Sequence, residues 1–440
     1  MASDPRENLS VRRENALLVK VVLDKGKIPF TADPLAELAR LAESAGAIVV
    51  GRVLQRREAY HPATCVGKGK LEEIRQRAEV YGADVIIFDN DLSPSQIREI
   101  EAATARKVLD RSELILDIFA SRARTREAKL QVELAQLEYT APRLRGMWTH
   151  LERVVGAGGA TSAGIVGGIG TRGPGERQIE IDRRLVDQRI TQLKRQIADI
   201  DRRKVRQVRA RRDFFTVSLV GYTNAGKSTL MNALTGAGAH VEDRLFATLD
   251  TLTRRWDLGN GRFVLLSDTV GFIRDLPHHL VASFRATLEE TIHADLLLHV
   301  VDAADPDAET QIAAVNGVLT ELGVADKPTL LLLNKMDAAE DQAALTLLRR
   351  NHPQALSISA KTGRGLDELR QAVDRQMRGE QRPATISLPI HDGRALAFLE
   401  RFGEICDRRF ADGRLIVEVR IAPRALEHLH TIAADVRHVE

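Results

Sequence analysis

The sequence predicts a multidomain α/β protein. A central, mostly parallel sheet with helices on both faces is preceded by a small α/β domain plus a helical hairpin and followed by a small α/β tail. Three observations carry that prediction. Strand-length apolar runs such as LLLHVV (296–301) and TLLLLN (329–334) alternate with helical patterns along the chain, as βαβ units do. A length of 440 residues exceeds one ordinary core and predicts about three domains. The stretch 156–175 holds nine glycines in twenty residues, too little side-chain volume for a core, and separates two structured parts of the chain.

Residues 1–120 form the first predicted domain. ALLVKVVL (16–23), AIVVGRVL (47–54) and ADVIIFD (83–89) are predicted strands. PLAELARLAESAG, GKLEEIRQRAEVYG and LSPSQIREIEAAT are the helices around them, the first ending at Gly46 and the last opening on Ser and Pro. The order implies a small, mostly parallel sheet. Residues 121–212 form a helical hairpin with the glycine-rich stretch at its tip. Leu130, Leu134 and Leu137 share one face before the tip; Val186, Ile190, Leu193, Ile197 and Ile200 repeat after it at coiled-coil spacing. FFTVSLVGY opens a third α/β unit, 213–378, which RGEQRPA links to a fourth, 379–440. That last unit contains ISLPI, a helix around RALAFLERFG, the strand RLIVEVRI and a helix after Pro423, with no recognisable chemistry.

Composition narrows the class. With 44% hydrophobic and 28% charged residues the chain reads as a soluble globular protein. Its apolar runs are too short to cross a bilayer, and MASDPRENL lacks the apolar core of a signal peptide. Cys65 and Cys406 are too few for a disulfide framework and fit a reducing cytoplasm, and no Cys/His cluster has zinc-ligand spacing. Net charge is +3, but residues 121–212 carry 21 Lys/Arg against 10 Asp/Glu, a surplus of 11 that leaves −8 for the rest. Such asymmetry suggests an anionic partner for the hairpin, against the plainer reading of a solvated helix face.

The chemistry is concentrated in the third unit. GYTNAGKST follows the strand TVSLV and precedes the helix KSTLMNAL, the context that G-x-x-x-x-G-K-[ST] requires. Gly221, Tyr222, Thr223, Asn224, Ala225 and Gly226 form a tight loop whose N–H groups wrap phosphates. Lys227 supplies a point charge to the β- and γ-phosphates, Ser228 a ligand for Mg²⁺, and Thr229 continues the cradle. In DTVGF, Asp268 and Gly271 approach the last phosphate. NKMD ends the next strand: Asp337 can accept both N1–H and the exocyclic amine of guanine, Asn334 supports the loop and base edge, and the Lys335 stem can cover the ring. In SAKTG, Ser359, Ala360 and Lys361 lie at the following strand end, where the Ala360 N–H can meet guanine O6. The set selects GTP and GDP. DRLFATLDTLTRR (243–255) is expected to supply a threonine to Mg²⁺ and the γ-phosphate; Thr248 is the first choice and Thr251 the second. Lys227, Thr248 and Gly271 are thus the residues expected to act on the reacting phosphate. Phe272 stands where many small GTPases place a Gln that orients the attacking water.

The set GYTNAGKS, LFATLDTLTRR, DTVGFIRDLP, NKMD and SAK, with GGIGTRGPGERQIEIDRR upstream, closely resembles the HflX family, translation-associated GTPases related to the Obg group. The resemblance covers about residues 10–380 strongly and the tail loosely. It implies a ribosome-associated cytoplasmic GTPase, active as a monomer, that binds the large ribosomal subunit and its RNA. It implies further that the N-terminal region points toward the peptidyl-transferase centre and helps to split stalled or idle ribosomes. It implies slow hydrolysis alone and stimulation on docking, because an apolar residue replaces the Gln. Relatives with Asn at the position of Asn224 can use it to hold K⁺, against the simpler role of steadying the loop. Arg172, Arg177, Arg183 and Arg184 flank the glycine tip and are the candidate RNA contacts. GKGK (67–70) opens a helix and keeps open an ATP site in the N-terminal region, with a basic helix start as the competing reading. Two other functions compete: a hibernation or anti-association factor using GTP only as a binding switch, and an ATP-dependent RNA-remodelling protein.

Overall fold

A computed structural model of the chain describes residues 14–23, 33–141, 176–209, 214–236, 252–259, 261–274, 290–339, 342–379, 381–411, 413–433 and 437–439. The expected glycine tip, Arg172, Thr248 and Thr251 lie outside these residues. Two compact units divide between Asp199 and Ile200.

In the first unit, β1 (Asn15–Leu23), β2 (Ile48–Arg57), β3 (Val85–Phe88) and β4 (Lys107–Asp110) form a parallel sheet in the order β2-β1-β3-β4. Its connections run through α1 (Ala36–Ser44), α2 (Lys68–Val80) and α3 (Pro94–Thr104), as a parallel sheet requires. Leu17, Val19 and Val21 of β1 pack with Ile86, Phe88, Ile74, Ile97 and Ile100 in one apolar cluster. The Ser-Pro start of α3 works as a capping box: Ser93 accepts from Gln96 N–H while the Gln96 side chain accepts from Ser93 N–H. At the C-terminal edge of the sheet, Asp89 takes Lys20 at 2.5 Å and Arg111 at 2.6 Å. Burial alone would raise its pKa, but the two cations outweigh that and hold the carboxyl below its ordinary range.

Helices α4 (Arg111–Arg122) and α5 (Arg126–Thr140) start on Asp110 and Thr125, whose side chains accept from Glu113 and Ala128 N–H. The most buried face of α5 is Ala128, Gln131, Val132, Ala135 and Tyr139. Leu134 is buried too, while Leu130 and Leu137 of the predicted stripe are half-buried. The stripe departs from expectation because α5 has two neighbours. One is α4; the other is α6 (Glu176–Arg209), tied to α5 by Arg189–Glu133 at 2.7 Å and Lys194–Glu138 at 2.8 Å. On α6 the predicted seam is the covered side: Leu193 is wholly buried and Val186, Ile190, Ile197 and Ile200 are half-buried.

The second unit holds a sheet in the order β10-β9-β8-β5-β7-β6. Its strands are β5 (Thr216–Gly221), β6 (Leu252–Gly259), β7 (Arg262–Asp268), β8 (Leu296–Asp302), β9 (Thr329–Asn334) and β10 (Leu356–Ser357). All pairs are parallel except β6 with β7. The helices α7 (Lys227–Thr235), α8 (Ala308–Glu321), α9 (Gln342–Asn351) and α10 (Leu366–Gly379) accompany it. Leu219, Leu230, Trp256, Leu266, Leu298 and Val373 fill one cluster, and Val301, Ile312, Leu333, Leu345 and Leu348 another. Sandwiched between two layers, β5 and β8 are apolar almost throughout, as central parallel strands are.

One polar residue interrupts β8. His299 is 2% exposed, and burial, followed by the charges of Lys227 and His352, pushes its pKa down to about 4 from the ordinary 6.5. The unfolded chain therefore binds the proton more readily between those values. The associated stability is complete above the unfolded value and is lost as pH falls toward the folded one, up to about 3 kcal/mol. Urea midpoints at pH 7.5 and 5.0 check this: His299→Leu should show a smaller difference than the unsubstituted protein, and an equal difference would refute the assignment.

The last sixty residues differ most from expectation. β11 (Arg382–Pro389), α11 (Gly393–Phe402), β12 (Gly403–Ala411), β13 (Arg414–Ile421), α12 (Pro423–Ile432) and β14 (Arg437–Val439) form an antiparallel sheet ordered β12-β13-β11-β14. That is the split βαβ topology. Two expectations are corrected. Arg382, Pro383 and Ala384, expected in the linker, already pair with β13, so the link shrinks to a few residues after Gly379. The strand GEICDRRFA was not expected, because a register shift between Ile405 and Asp407 breaks its alternation.

Within this unit Arg262 binds Asp374 of α10 at 2.9 Å and Glu404 of β12 at 3.5 Å, while the Phe214 ring lies 5.3 Å from Phe263 and 4.9 Å from Phe402. The β6–β7 hairpin is thereby joined to the tail.

Candidate functional site

Four strands deliver the site residues to one sheet edge. β5 runs into GYTNAGKS, β7 into DTVGF, β9 into NKMD and β10 into SAKTG. These are the C-terminal ends of parallel strands, and the order reverses at β5, where open α/β sheets bind ligands.

The loop after β5 depends on its glycines. Gly221 has φ 150°, and a Cβ there would meet the Val300 carbonyl at 2.2 Å. Gly226 has φ 92°, and its Cβ would lie 2.4 Å from Asn334 Nδ2. Asn224 is left-handed at φ 62°, a conformation that Asn tolerates better than most residues. Ala225 is buried beneath the loop, and Ser228 and Thr229 are half-buried in the first turn of α7, whose opening N–H groups have no carbonyl of their own helix to meet. Not every loop N–H faces outward, however. Thr223 N–H donates to the Phe272 carbonyl at 2.7 Å and Ala225 N–H to the Tyr222 carbonyl at 3.3 Å.

Lys227 is buried, and its ammonium donates to the carbonyls of Gly221 at 3.1 Å and Tyr222 at 2.8 Å. Burial lowers its pKa to about 8, with the Asp268 charge opposing the shift. The Ser228 hydroxyl donates to Asp268 Oδ2 at 2.6 Å, so an alcohol from α7 and a carboxylate from β7 converge. Gly271 closes the corner: a Cβ on it would sit 2.9 Å from Lys227 Nζ and from Thr223 Cα and Cγ2. Phe272 is 3% exposed and pairs with Tyr222 as a parallel bridge, its N–H donating to the Gly221 carbonyl at 3.1 Å. DTVGF is therefore stitched to the phosphate loop by backbone bonds.

Asn334 organises the other half. Its Nδ2 donates to the Ala225 carbonyl at 2.8 Å, and its Oδ1 accepts from Ala360 N–H at 2.9 Å. The Ala360 N–H, expected on guanine O6, thus serves the buried Asn334 amide here. Asp337 is exposed; the Ser359 hydroxyl donates to its Oδ1 at 2.6 Å and, as the leading cause, holds the carboxyl below its ordinary range. Lys335, left-handed at φ 61°, pairs with Asp302 at 2.8 Å, and Lys361 is exposed. The structure thus brings together every expected phosphate and base residue that it describes. Sequence reasoning missed the part of Tyr222, whose hydroxyl accepts from Arg274 N–H at 2.8 Å just after DTVGF.

Elsewhere the candidates are dispersed. Arg184 on α6 is exposed, whereas Arg177 and Arg183 are placed only by their helical backbone. At GKGK, Gly67 N–H donates to Gln55 at 3.0 Å and Lys70 pairs with Glu73 at 2.5 Å, which favours the helix-start reading. No described helix is long and apolar enough to cross a membrane.

A phosphate loop wired through Asn334 of NKMD to the SAKTG loop, with an Asp-x-x-Gly segment across it, defines a P-loop GTPase. Family profiles described as GTP-binding GTPase N-terminal, GTP-binding GTPase Middle Region and 50S ribosome-binding GTPase match residues 32–120, 122–211 and 216–335. A GTPase HflX of Lacrimispora saccharolytica is 42% identical, over 94% of this chain and 96% of the relative. That of Escherichia coli is 46% identical, over 87% of each. The chain belongs to the HflX family of GTPases and hydrolyses GTP. Among solved structures, a Sulfolobus solfataricus GTP-binding protein in complex with GDP is similar at 24% identity, covering 82% of this chain and 98% of that one with a TM-score of 0.40.

Proposed function

We propose that this GTPase binds the large ribosomal subunit, promotes dissociation of stalled or idle ribosomes, and hydrolyses GTP fast only when docked. The observation that carries the reading is Phe272. It is buried, offers no polar atom to a water, and is fixed by backbone bonds to the phosphate loop. The description of the matching family profile, a 50S ribosome-binding GTPase, and the arginine surplus of residues 121–212 support the same reading. Turnover with and without isolated large subunits is the test, and equal rates overturn the proposal.

In this reading Lys227 and the first-turn N–H groups of α7 hold the β- and γ-phosphates, and Asp337 selects the base. Gly271 N–H meets the terminal phosphate, its lack of a side chain keeping the corner open. The Ser228 hydroxyl and Asp268 carboxylate are hard oxygen donors that fit Mg²⁺ completed by phosphates and water, and a threonine from 243–255, Thr248 or else Thr251, is the proposed further ligand. When bound, that ion neutralises charge developing on the phosphates. Ordering of the switch segments around the γ-phosphate supplies the binding switch. Arg172, Arg177, Arg183 and Arg184 are the proposed RNA contacts.

The left-handed turn at Asn224 accounts for its residue type through backbone geometry alone, and K⁺ binding there is an additional proposal. Turnover in KCl and NaCl at equal ionic strength decides it. Higher turnover in KCl, lost in Asn224→Gly, is expected; equal rates in the two salts remove the ion.

A further inference from the structure

Phe272 poses a problem for the chain alone: some group must hold the water in slow, unassisted turnover. We propose that the Thr223 hydroxyl is a catalytic group of this intrinsic hydrolysis, contacting the attacking water and a terminal phosphate oxygen.

The first support is position. Thr223 sits between the two positive-φ glycines of the loop, and its N–H is held by the Phe272 carbonyl at 2.7 Å. Its Cα and Cγ2 and the Lys227 ammonium all lie 2.9 Å from one point, the place of a Cβ on Gly271. The Thr223 methyl therefore shares a corner with the Lys227 ammonium and the glycine of DTVGF, and a single rotation about the Cα–Cβ bond exchanges methyl for hydroxyl there.

The second support is an unmet bond. Thr223 is 6% exposed, and its Oγ1 is buried without a hydrogen-bond partner among the described residues. Other buried threonines are satisfied: Thr269 donates to the Leu219 carbonyl at 2.6 Å, Thr104 to the Ile100 carbonyl at 2.7 Å, and Thr291 shares a bond with Ser218 at 3.2 Å. A buried hydroxyl left unmatched is the exception in folded proteins and calls for a reason. If packing were its only task, valine would fill the same space without a polar atom to desolvate. A hydroxyl can accept from water and donate to a phosphate oxygen at once, which are the two contacts needed here. Threonine is not consumed. The water oxygen bonds to the γ-phosphorus, the bond from that phosphorus to the bridging oxygen breaks, and the proton leaves with the phosphate.

The inference rests on the GTPase activity itself, which the unsubstituted protein reports in the same assay. Intrinsic turnover without ribosomes, kcat and KM separately, and fluorescent GDP affinity would be measured for Thr223→Val, Thr223→Ser and Thr223→Ala. Removing one preorganised hydrogen-bonding group predicts kcat lower by about 10²-fold in Val and Ala, with KM and GDP affinity within about threefold and Ser near normal. A kcat for Val within twofold of normal overturns the proposal. So does a loss of GDP affinity matching the loss of rate, or a Ser variant as slow as Val, since either marks a role in loop structure. Should Val not fold, Ala and Ser decide the matter alone.

Discussion

Replacing Asp337 by Asn will move base preference from guanine to xanthine. The carboxylate is exposed at the end of β9, fixed by the Ser359 hydroxyl at 2.6 Å and kept ionised by that bond. Ionised, it is acceptor-only, which suits the two donors on the Watson–Crick side of guanine. An amide there still accepts from N1–H through its oxygen but turns its N–H groups toward the exocyclic amine, so one bond is lost and that contact becomes donor against donor. A hydrogen bond to a charged group contributes about 1.5–3 kcal/mol, so GTP affinity should fall roughly 10- to 10²-fold. Xanthine carries a carbonyl in place of the amine and accepts from the new amide, which restores binding. Turnover and affinity with GTP and XTP check this, and an unaltered preference for GTP would remove Asp337 from base recognition. The substitution leaves the Asn334 bonds to Ala225 and Ala360 in place, so a collapse of the phosphate loop does not explain a switch in preference.

The parts of this site that were legible in the sequence are the local ones. A G-x-x-x-x-G-K-S loop is written in consecutive residues because its conformation is local: left-handed Gly226 and Asn224 and the start of α7 follow one another directly. NKMD and SAKTG were legible because each follows a recognisable strand. The features that escaped were set by pairing across the chain. Whether the Ala360 N–H meets a base or the Asn334 amide depends on residues 26 positions apart. The bridge between Tyr222 and Phe272, which fixes DTVGF to the phosphate loop, has no signature in either segment. In the tail, ISLPI is a compact apolar run and RLIVEVRI alternates, but GEICDRRFA changes face at its bulge, so its period of two is hidden. Leu130 and Leu137 mark the flank of α5 rather than its centre, since a helix with two neighbours buries more than one stripe.

Isolated large ribosomal subunits should accelerate GTP turnover by roughly 10³- to 10⁵-fold, the range in which a supplied catalytic group acts on P-loop GTPases. The magnitude reflects the group that the corner lacks. Lys227, Gly271 and the Ser228–Asp268 pair are the proposed holders of phosphate and metal, yet the segment proposed to face the terminal phosphate ends in a buried aromatic ring. Backbone bonds from Gly221 and Thr223 to Phe272 restrain that segment from exchanging the ring for another side chain. A group brought from outside is then the simplest solution, and docking would make fast hydrolysis conditional on the right partner. Because the arginine-rich segment is proposed to meet RNA phosphates, the stimulation should also weaken steeply with salt, by about 0.7–0.9 in log affinity per log salt for each phosphate neutralised. Deleting residues 156–175 should abolish splitting while leaving GDP binding intact, since every proposed nucleotide contact belongs to other segments. The decisive pair of results is turnover with subunits and ribosome splitting with a non-hydrolysable GTP analogue. Stimulated turnover together with splitting by the analogue assigns the mechanical work to binding and leaves hydrolysis for release. Unstimulated turnover would mean that docking supplies no catalytic group, and the significance given to Phe272 would be lost.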